Sequence, residues 1–258
     1  MGRSGPVILT KAKKALDDVS FPLEGDEEPE ENQDDDVVTE KDDMEEVEQE
    51  FWEAAKQGDE AAMKKILSEN SSINVNWKNE KVNGFTTLHC ACDHGYDKIV
   101  VLLLAHAEID VNQKNKYGAT PFRAACSNGK TSCVQLLLKD ARVQVNEPNN
   151  DGTTPLRWAA RGGRLDIVKW WIASGREMDL GLSGNKKTDV IGAARKPKKY
   201  KNETEEAFEE RKKVATLLEK LKANSAQTRQ EVRKELGITG ECAFLDSSFI
   251  LFSQLFSN

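Results

Sequence analysis

Residues 84–92 have the sequence GFTTLHCAC, residues 118–126 have GATPFRAAC and residues 152–160 have GTTPLRWAA. These are three versions of one pattern, and their first glycines are 34 residues apart in both intervals, 84 to 118 and 118 to 152. A fixed period between about 20 and 50 residues is typical of proteins built from stacked repeats. We therefore interpret the stretch from Gly84 to Leu180 as an array of similar structural units.

Each unit contains residues that favour a pair of helices. A threonine stands where a helix N-cap is wanted, and proline follows it in two of the three copies, at a position where a helix needs no backbone N–H. A glycine then ends the first helix, and a mostly apolar run predicts the second. The N-cap threonines are Thr86, Thr120 and Thr154, the terminating glycines are Gly95, Gly129 and Gly163, and the apolar runs are 99–104, 133–138 and 167–172. Such units expose too much apolar surface to be stable alone, so stacking must bury it.

Weaker copies flank the three clear ones. Residues 44–80 have helical periodicity and an Ala54-Ala55 pair before Gly58, but they lack the turn motif, as a capping unit would. Residues 186–194 are in phase with the earlier openings, and apolar residues return at helical spacing from Val214 to Leu221. We interpret residues 183–224 as a fifth, capping unit that a charged insert splits.

The pattern closely resembles the ankyrin repeat, with its Thr-Pro-Leu-His opening and its Val-Val-x-Leu-Leu-Leu second helix. The resemblance implies an all-α solenoid of helix-turn-helix units, about five with the degenerate caps, over residues 50–224. The repeats then lie near 44–80, 81–114, 115–148, 149–182 and 183–224. Arginine replaces the family's histidine at Arg123 and Arg157, whereas His89 keeps it, and its ring is expected to hydrogen-bond turn backbone.

The two ends of the chain differ from the array in composition. Residues 24–50 contain sixteen Asp or Glu and one Lys, a net charge of −15, so the remainder of a chain with net charge −7 carries +8. This predicts a disordered, acidic tail over residues 1–49. Residues 225–258 are predicted to be a C-terminal helical extension, with a short helix from Ser225 to near Gly237. The phenylalanine-rich end, 242–258, either packs on the last repeat or awaits a partner.

No catalytic or metal-binding arrangement is evident. His89, Cys90, Cys92 and His94 are close in sequence, but one short helix would direct them to different sides, whereas zinc needs about four converging ligands. The five cysteines have no framework spacing, which suits reduced thiols. We find no phosphate loop or nucleophile elbow. The prediction is a non-enzymatic protein with no cofactor, no metal and no membrane span.

Function in such an array is expected on its concave face, which the turn tips and first helices form. By resemblance, the variable positions there flank each turn glycine and precede each mid-repeat glycine. Phe85 and Tyr117 are the first choices because exposed aromatic side chains are common contact anchors, with Arg161 as a charged anchor. The candidate partner-binding residues are Phe85, Asp93, His94, Lys116, Tyr117, Asn128, Asn150, Asp151 and Arg161. We predict a monomeric intracellular adaptor that binds a protein.

A second hypothesis concerns the basic segment 186–201, which has seven basic residues and one acidic residue. Such a run is typical of a nuclear-import signal or a polyanion contact, although it is also compatible with a solvated insert. Its candidate contact residues are Arg195, Lys196, Lys198, Lys199 and Lys201. The alternative function is therefore that of a nuclear regulator that contacts nucleic acid or chromatin through this segment. The predicted compartment is the cytoplasm, with the nucleus as the alternative.

Overall fold

The computed structural model of the chain describes residues 35–181, 189–195 and 204–238. Within these ranges the protein is mostly helical, with one small sheet. The helices are α1 (Asp35–Gln57), α2 (Glu60–Glu69), α3 (Thr87–His94), α4 (Asp97–Leu104), α5 (Pro121–Asn128), α6 (Thr131–Lys139), α7 (Pro155–Arg161), α8 (Leu165–Ser174), α9 (Val190–Arg195), α10 (Glu205–Ala223) and α11 (Ser225–Glu235). The strands are β1 (Lys78–Asn79) and β2 (Phe85–Thr86).

Helices α1 to α10 form five consecutive pairs that stack side by side. The first helices, α1, α3, α5, α7 and α9, each contact the next first helix, and the second helices, α2, α4, α6, α8 and α10, do the same in a parallel layer. This confirms the predicted solenoid of about five two-helix units. The C-terminal helix α11 packs against α8 and α10, which confirms the predicted short helix that begins at Ser225.

The predicted helix signals act as expected. The hydroxyl oxygens of Thr86, Thr120 and Thr154 accept hydrogen bonds from the N–H groups three residues later, and so cap α3, α5 and α7. Helices α3 and α5 end at glycines 95 and 129, which have φ of 88° and 72°. In this left-handed region a side chain would be strained, which explains why glycine recurs there.

One continuous core runs along the two helix layers. Small buried residues such as Ala91, Ala125 and Ala159 let the first helices approach each other closely. Large side chains fill the space between the layers. Phe122 and Trp171 pack edge to face there, with ring centroids 5.0 Å apart and an angle of 80° between the ring planes. Because this core crosses every repeat boundary, the array holds the exposed loops in fixed relative positions.

The boundary of the predicted acidic tail needs a correction. Helix α1 begins at Asp35, so residues 35–49, which composition assigned to a disordered tail, are helical. Glutamate is a good helix former, acidic residues are favoured in the first turn of a helix, and Phe51 and Trp52 anchor the other end of α1 in the core. Residues 1–34 lie outside the described residues.

Two further observations concern the loops and the C-terminus. The mostly helical architecture agrees with the all-α prediction, and the turn before α3 adds a two-residue antiparallel pairing of β1 and β2, with Asn79 opposite Phe85. Helices α9 and α10 leave a gap at 196–203, where the sequence predicts the basic insert, but those residues and the tail 242–258 lie outside the described part. None of the described helices has the length and apolar character needed to cross a membrane.

Candidate functional site

The turn tips on one side of the array are built around buried asparagines. The Oδ1 atom of Asn115 accepts hydrogen bonds from the N–H groups of Tyr117 and Ala119, at 2.9 and 3.0 Å. Asn149 repeats this arrangement one unit later, with bonds from the N–H groups of Asp151 and Thr153. These amides replace backbone partners that a tight turn cannot supply, so the tips are rigid.

Backbone hydrogen bonds join neighbouring tips to each other. The N–H of Lys116 donates to the carbonyl of Asn83, and the N–H of Asn150 donates to the carbonyl of Tyr117, both at 3.0 Å. The Asn150 side chain adds a bond to the carbonyl of Lys116 at 3.0 Å. The tips therefore form one continuous surface, which we name the tip ridge and define as residues 80–85, 115–119 and 149–153.

The tip ridge carries the exposed apolar surface of the described residues. Only two large hydrophobic residues in the described part of the chain are classed as exposed, Tyr117 at 56% and Val82 at 38%. Both lie on the tip ridge, at neighbouring tips that the bond between Lys116 and Asn83 joins. Exposed apolar residues that cluster in this way mark contact surfaces more often than scattered ones do.

Phe85 differs from its prediction as an exposed anchor. It is half-buried, and its ring lies 5.3 Å from that of His89. The sequence could not indicate this position, because β2 turns the side chain toward the start of α3. Phe85 therefore supports the tip as well as lining it.

His89 hydrogen-bonds turn backbone, as the resemblance implied, and in doing so it connects two repeats. Its Nε2 lies 2.8 Å from the carbonyl oxygen of Ala119 in the next tip, and its Nδ1 lies 2.8 Å from the hydroxyl of Thr86. Because a carbonyl only accepts, the Nε2 atom must donate, and Nδ1 accepts. Burial lowers the pKa of His89 to about 4, so the ring is neutral at physiological pH.

The ends of the first helices contribute the second part of the surface. The amide of Asn128 on α5 donates to a carboxylate oxygen of Asp93 on α3, at 2.5 Å. Exposed His94 stacks on Tyr96, with ring centroids 5.6 Å apart and planes 7° apart. The first contact joins neighbouring units, the second lies within one unit, and both orient side chains before any partner binds.

A cluster on α5 and α7 was not singled out from the sequence. The guanidinium carbon of Arg123 lies 4.7 Å from the ring centroid of Trp158, and that of Arg161 lies 5.4 Å from the same centroid. We name these three residues the arginine–tryptophan stack. The signal that could have revealed it is the size of Trp158, since the earlier repeats have only Cys90 and Ala124 at the equivalent position.

The structure places the predicted site residues in two groups. Lys116, Tyr117, Asn150 and Asp151 lie on the tip ridge with half-buried Phe85, and Lys116 forms an ion pair of 2.8 Å with Glu80. Asp93, His94, Asn128 and Arg161 lie at the ends of helices α3, α5 and α7. The stacking of the first helices places both groups along the same row of units. Their role in binding stays a prediction.

The basic segment is described at only a few positions. Arg195 ends α9, and its guanidinium forms an ion pair with Glu219 of α10. This contact joins the two helices of the capping unit and gives Arg195 a structural role. Lys196, Lys198, Lys199 and Lys201 lie outside the described residues, so a polyanion contact there stays a prediction.

The four cysteines of the described residues, Cys90, Cys92, Cys126 and Cys133, lie within the array and are buried. Burial raises the pKa of the Cys90 thiol to about 12 and that of Cys133 to about 11, and it raises the pKa values of Cys92 and Cys126 as well. Thiols with raised pKa values are poor nucleophiles and poor metal ligands at neutral pH. The described residues contain no group of three or more His, Cys, Asp or Glu side chains arranged to hold a metal.

Comparison with known proteins agrees with this architecture. A family model for ankyrin repeats, described as three copies, matches residues 46–115 and 101–181, which together span more than half of the chain. No curated protein matches the chain.

Proposed function

Because the chain belongs to the ankyrin-repeat family, we propose that it is a non-enzymatic adaptor that binds a segment of a partner protein across the tip ridge and the first helices. Ankyrin repeats are protein-interaction modules in general. An adaptor, in addition, holds one specific partner on one face of the array and so links this partner to another component.

One observation carries the proposal. The exposed Tyr117 and Val82 lie at neighbouring tips of the tip ridge, where their backbone N–H groups donate to the side chains of Asn115 and Asn79. Aromatic side chains on rigid backbone bind with a small loss of conformational entropy, and tyrosine is enriched among residues that dominate binding energy. A preformed apolar ridge is therefore suited to a protein partner.

The experiment compares capture of partner proteins by the full chain and by two variants. Tyr117→Ala removes the exposed ring, and we expect the amount of a specific captured protein to fall by about tenfold or more. Gln135→Ala is the control, because Gln135 lies on α6 in the layer of second helices. Thermal unfolding should be nearly unchanged in the Tyr117→Ala variant, since Tyr117 is exposed.

Two outcomes would count against the proposal. Equal capture by the Tyr117→Ala variant and the unaltered chain would show that the tip ridge does not bind the partner. A large fall in thermal stability with Tyr117→Ala would mean that the ring supports the fold.

A further inference from the structure

The arginine–tryptophan stack leaves one cation poorly compensated. Arg123 is half-buried, and its Nε donor is buried without a hydrogen-bond partner among the described residues. It forms no ion pair with a described carboxylate. The indole of Trp158 covers one side of the guanidinium, but an aromatic ring replaces only part of the hydration that a cation loses on burial.

The surrounding charges agree with this description. Loss of solvent lowers the pKa of Arg123, and the carboxylates that most oppose this effect are those of Asp151 and Asp93. Asp93 is already hydrogen-bonded to the amide of Asn128. A further carboxylate beside Arg123 would therefore gain a charge-assisted hydrogen bond without displacing an existing ion pair.

The stack also has the geometry to select its ligand. The guanidinium carbons of Arg123 and Arg161 lie 4.7 and 5.4 Å from the ring centroid of Trp158, so one indole lies beside both groups. Arginine presents several N–H donors in a planar fork that matches a carboxylate. Arg157, at the position equivalent to Arg123 one repeat later, adds a third positive charge to the same helix as Trp158.

From this arrangement we propose that the arginine–tryptophan stack binds the carboxylates of an acidic segment in the partner protein. The proposal rests on the proposed function and adds the chemical class of the partner. Carboxylates of the segment accept from Arg123 and Arg161, whose guanidinium groups both lie beside the indole of Trp158. The remainder of the partner segment extends along the tip ridge toward Tyr117.

The experiment measures binding of a fluorescein-labelled acidic peptide to the full chain by fluorescence anisotropy, at about 0.15 M salt. The probe copies residues 24–34 of this protein, and its control has Gln for each Glu and Asn for each Asp. We expect the acidic probe to bind and the neutral control to bind at least about tenfold more weakly.

Four variants test the site. Arg123→Gln and Arg161→Gln each remove a guanidinium of the stack, and we expect each to weaken binding of the probe by about tenfold. Lys98→Gln is the control, because it removes the same charge from an exposed position on α4. Arg123→Lys keeps the positive charge but lacks the planar fork of donors, so we expect it to bind the probe with intermediate affinity. Thermal unfolding of each variant separates loss of binding from loss of fold.

The outcomes distinguish the alternatives. Equal binding by Arg123→Gln would overturn the proposal, because Arg123 would then not contact the probe. An equal loss with Lys98→Gln would also overturn it, because binding would then follow net charge alone. In a second form of the chain, Glu27, Glu28, Glu30 and Glu31 are changed to Gln. Binding that occurs only in this form would show that the chain's own acidic stretch occupies the stack, which overturns a partner segment as the ligand. If the acidic probe fails while capture still depends on Tyr117, only this inference falls and the proposed function stands.

Discussion

Arg142 donates a hydrogen bond of 2.8 Å from its Nη2 to the backbone carbonyl of Leu104, the last residue of the second helix in the preceding unit. The final carbonyls of a helix lack partners within it, and a cation is favoured beside them. Arg176 repeats the arrangement one unit later, with bonds to the carbonyls of Leu138, Asp140 and Val143. The spacing of 34 residues, 142 to 176, shows that these contacts belong to the repeat.

The first prediction tests this contact between units. Arg142→Gln removes the bond to Leu104 and the ion pair with Asp140, so we expect the free energy of unfolding to fall by about 1–3 kcal/mol. Lys114→Gln is the control, because it removes an ion pair with Glu147 at the surface and should cost less than about 1 kcal/mol. Chemical denaturation measures both. A similar small cost for the two variants would contradict a special role for Arg142.

The second prediction concerns the pH dependence that His89 causes. Its pKa is about 4 in the folded chain and 6.5 ordinarily, so the unfolded chain takes up the proton first as the pH falls. The stabilising contribution of the neutral ring is complete above pH 6.5 and is lost as the pH falls toward 4. The difference of about 2.5 pKa units corresponds to roughly 3 kcal/mol.

The measurement compares the unaltered chain with His89→Gln by denaturation at pH 7 and pH 4.5. Both chains share their carboxylates, so the effects of those groups cancel in the difference. We expect the unaltered chain to lose about 2–3 kcal/mol more than the variant between the two pH values. Parallel pH curves would show that His89 does not titrate in this window.

These contacts show how far the sequence predicts the fold. The period and the caps are local, so Thr86 and Gly95 could be assigned from their neighbours in the chain. The length of α1 could not be assigned, because its acidic first half has the composition of a disordered tail and the residues that anchor it, such as Phe51, come later. Composition describes the average behaviour of a segment, whereas packing depends on what lies against it.

The candidate site was predictable only in part, for a related reason. Tyr117 was correctly expected to be exposed, since a turn tip points away from the core. Phe85 is half-buried because the ring of His89 lies beside it, and the arginine–tryptophan stack joins Arg123 to Trp158 across 35 positions of sequence. Contacts across a repeat boundary follow from the stacking, so they become visible only when the units are placed side by side.

The third prediction compares two glycines of the tip ridge. Gly118 has φ of 70°, and a Cβ atom there would lie 2.7 Å from the backbone nitrogen of Asn150. Gly152 has φ of 74° but no atom within 4 Å of such a Cβ. Both alanine variants have the strain of the left-handed backbone, about 1 kcal/mol. We expect Gly118→Ala to cost a further 1–2 kcal/mol or so because the neighbouring tip must move.

Denaturation of the two variants measures this difference. We also expect Gly118→Ala to weaken the hydrogen bond between the N–H of Asn150 and the carbonyl of Tyr117. Faster amide hydrogen exchange at Asn150 would report this change. Equal stability of Gly118→Ala and Gly152→Ala would indicate that the tips are not held as closely as their hydrogen bonds imply.

The last prediction concerns α11, which takes the place of the missing arginine in the final unit. Arg142 and Arg176 lie in the loops that follow α6 and α8, but after α10 the chain continues at once into α11, so this helix replaces the loop. Instead, Arg229 donates to the carbonyl of Ile172 at 3.3 Å, and Arg233 donates to that of Ala173 at 3.4 Å. Helix α11 therefore closes the series of helix-end contacts from outside the repeat.

Replacing both arginines of α11 with glutamine should expose the end of α8 to solvent and lower the free energy of unfolding by about 1–3 kcal/mol. Amide exchange should become faster in the last turn of α8 and in α11, while exchange in α4 stays unchanged, because stacked repeats transmit stability mainly to their neighbours. Lys234→Gln is the control, since Lys234 is exposed on the same helix. If the control variant alters exchange in α8 as much as the double variant does, the effect comes from the helicity of α11. The bonds to Ile172 and Ala173 would then have no special part in closing the array.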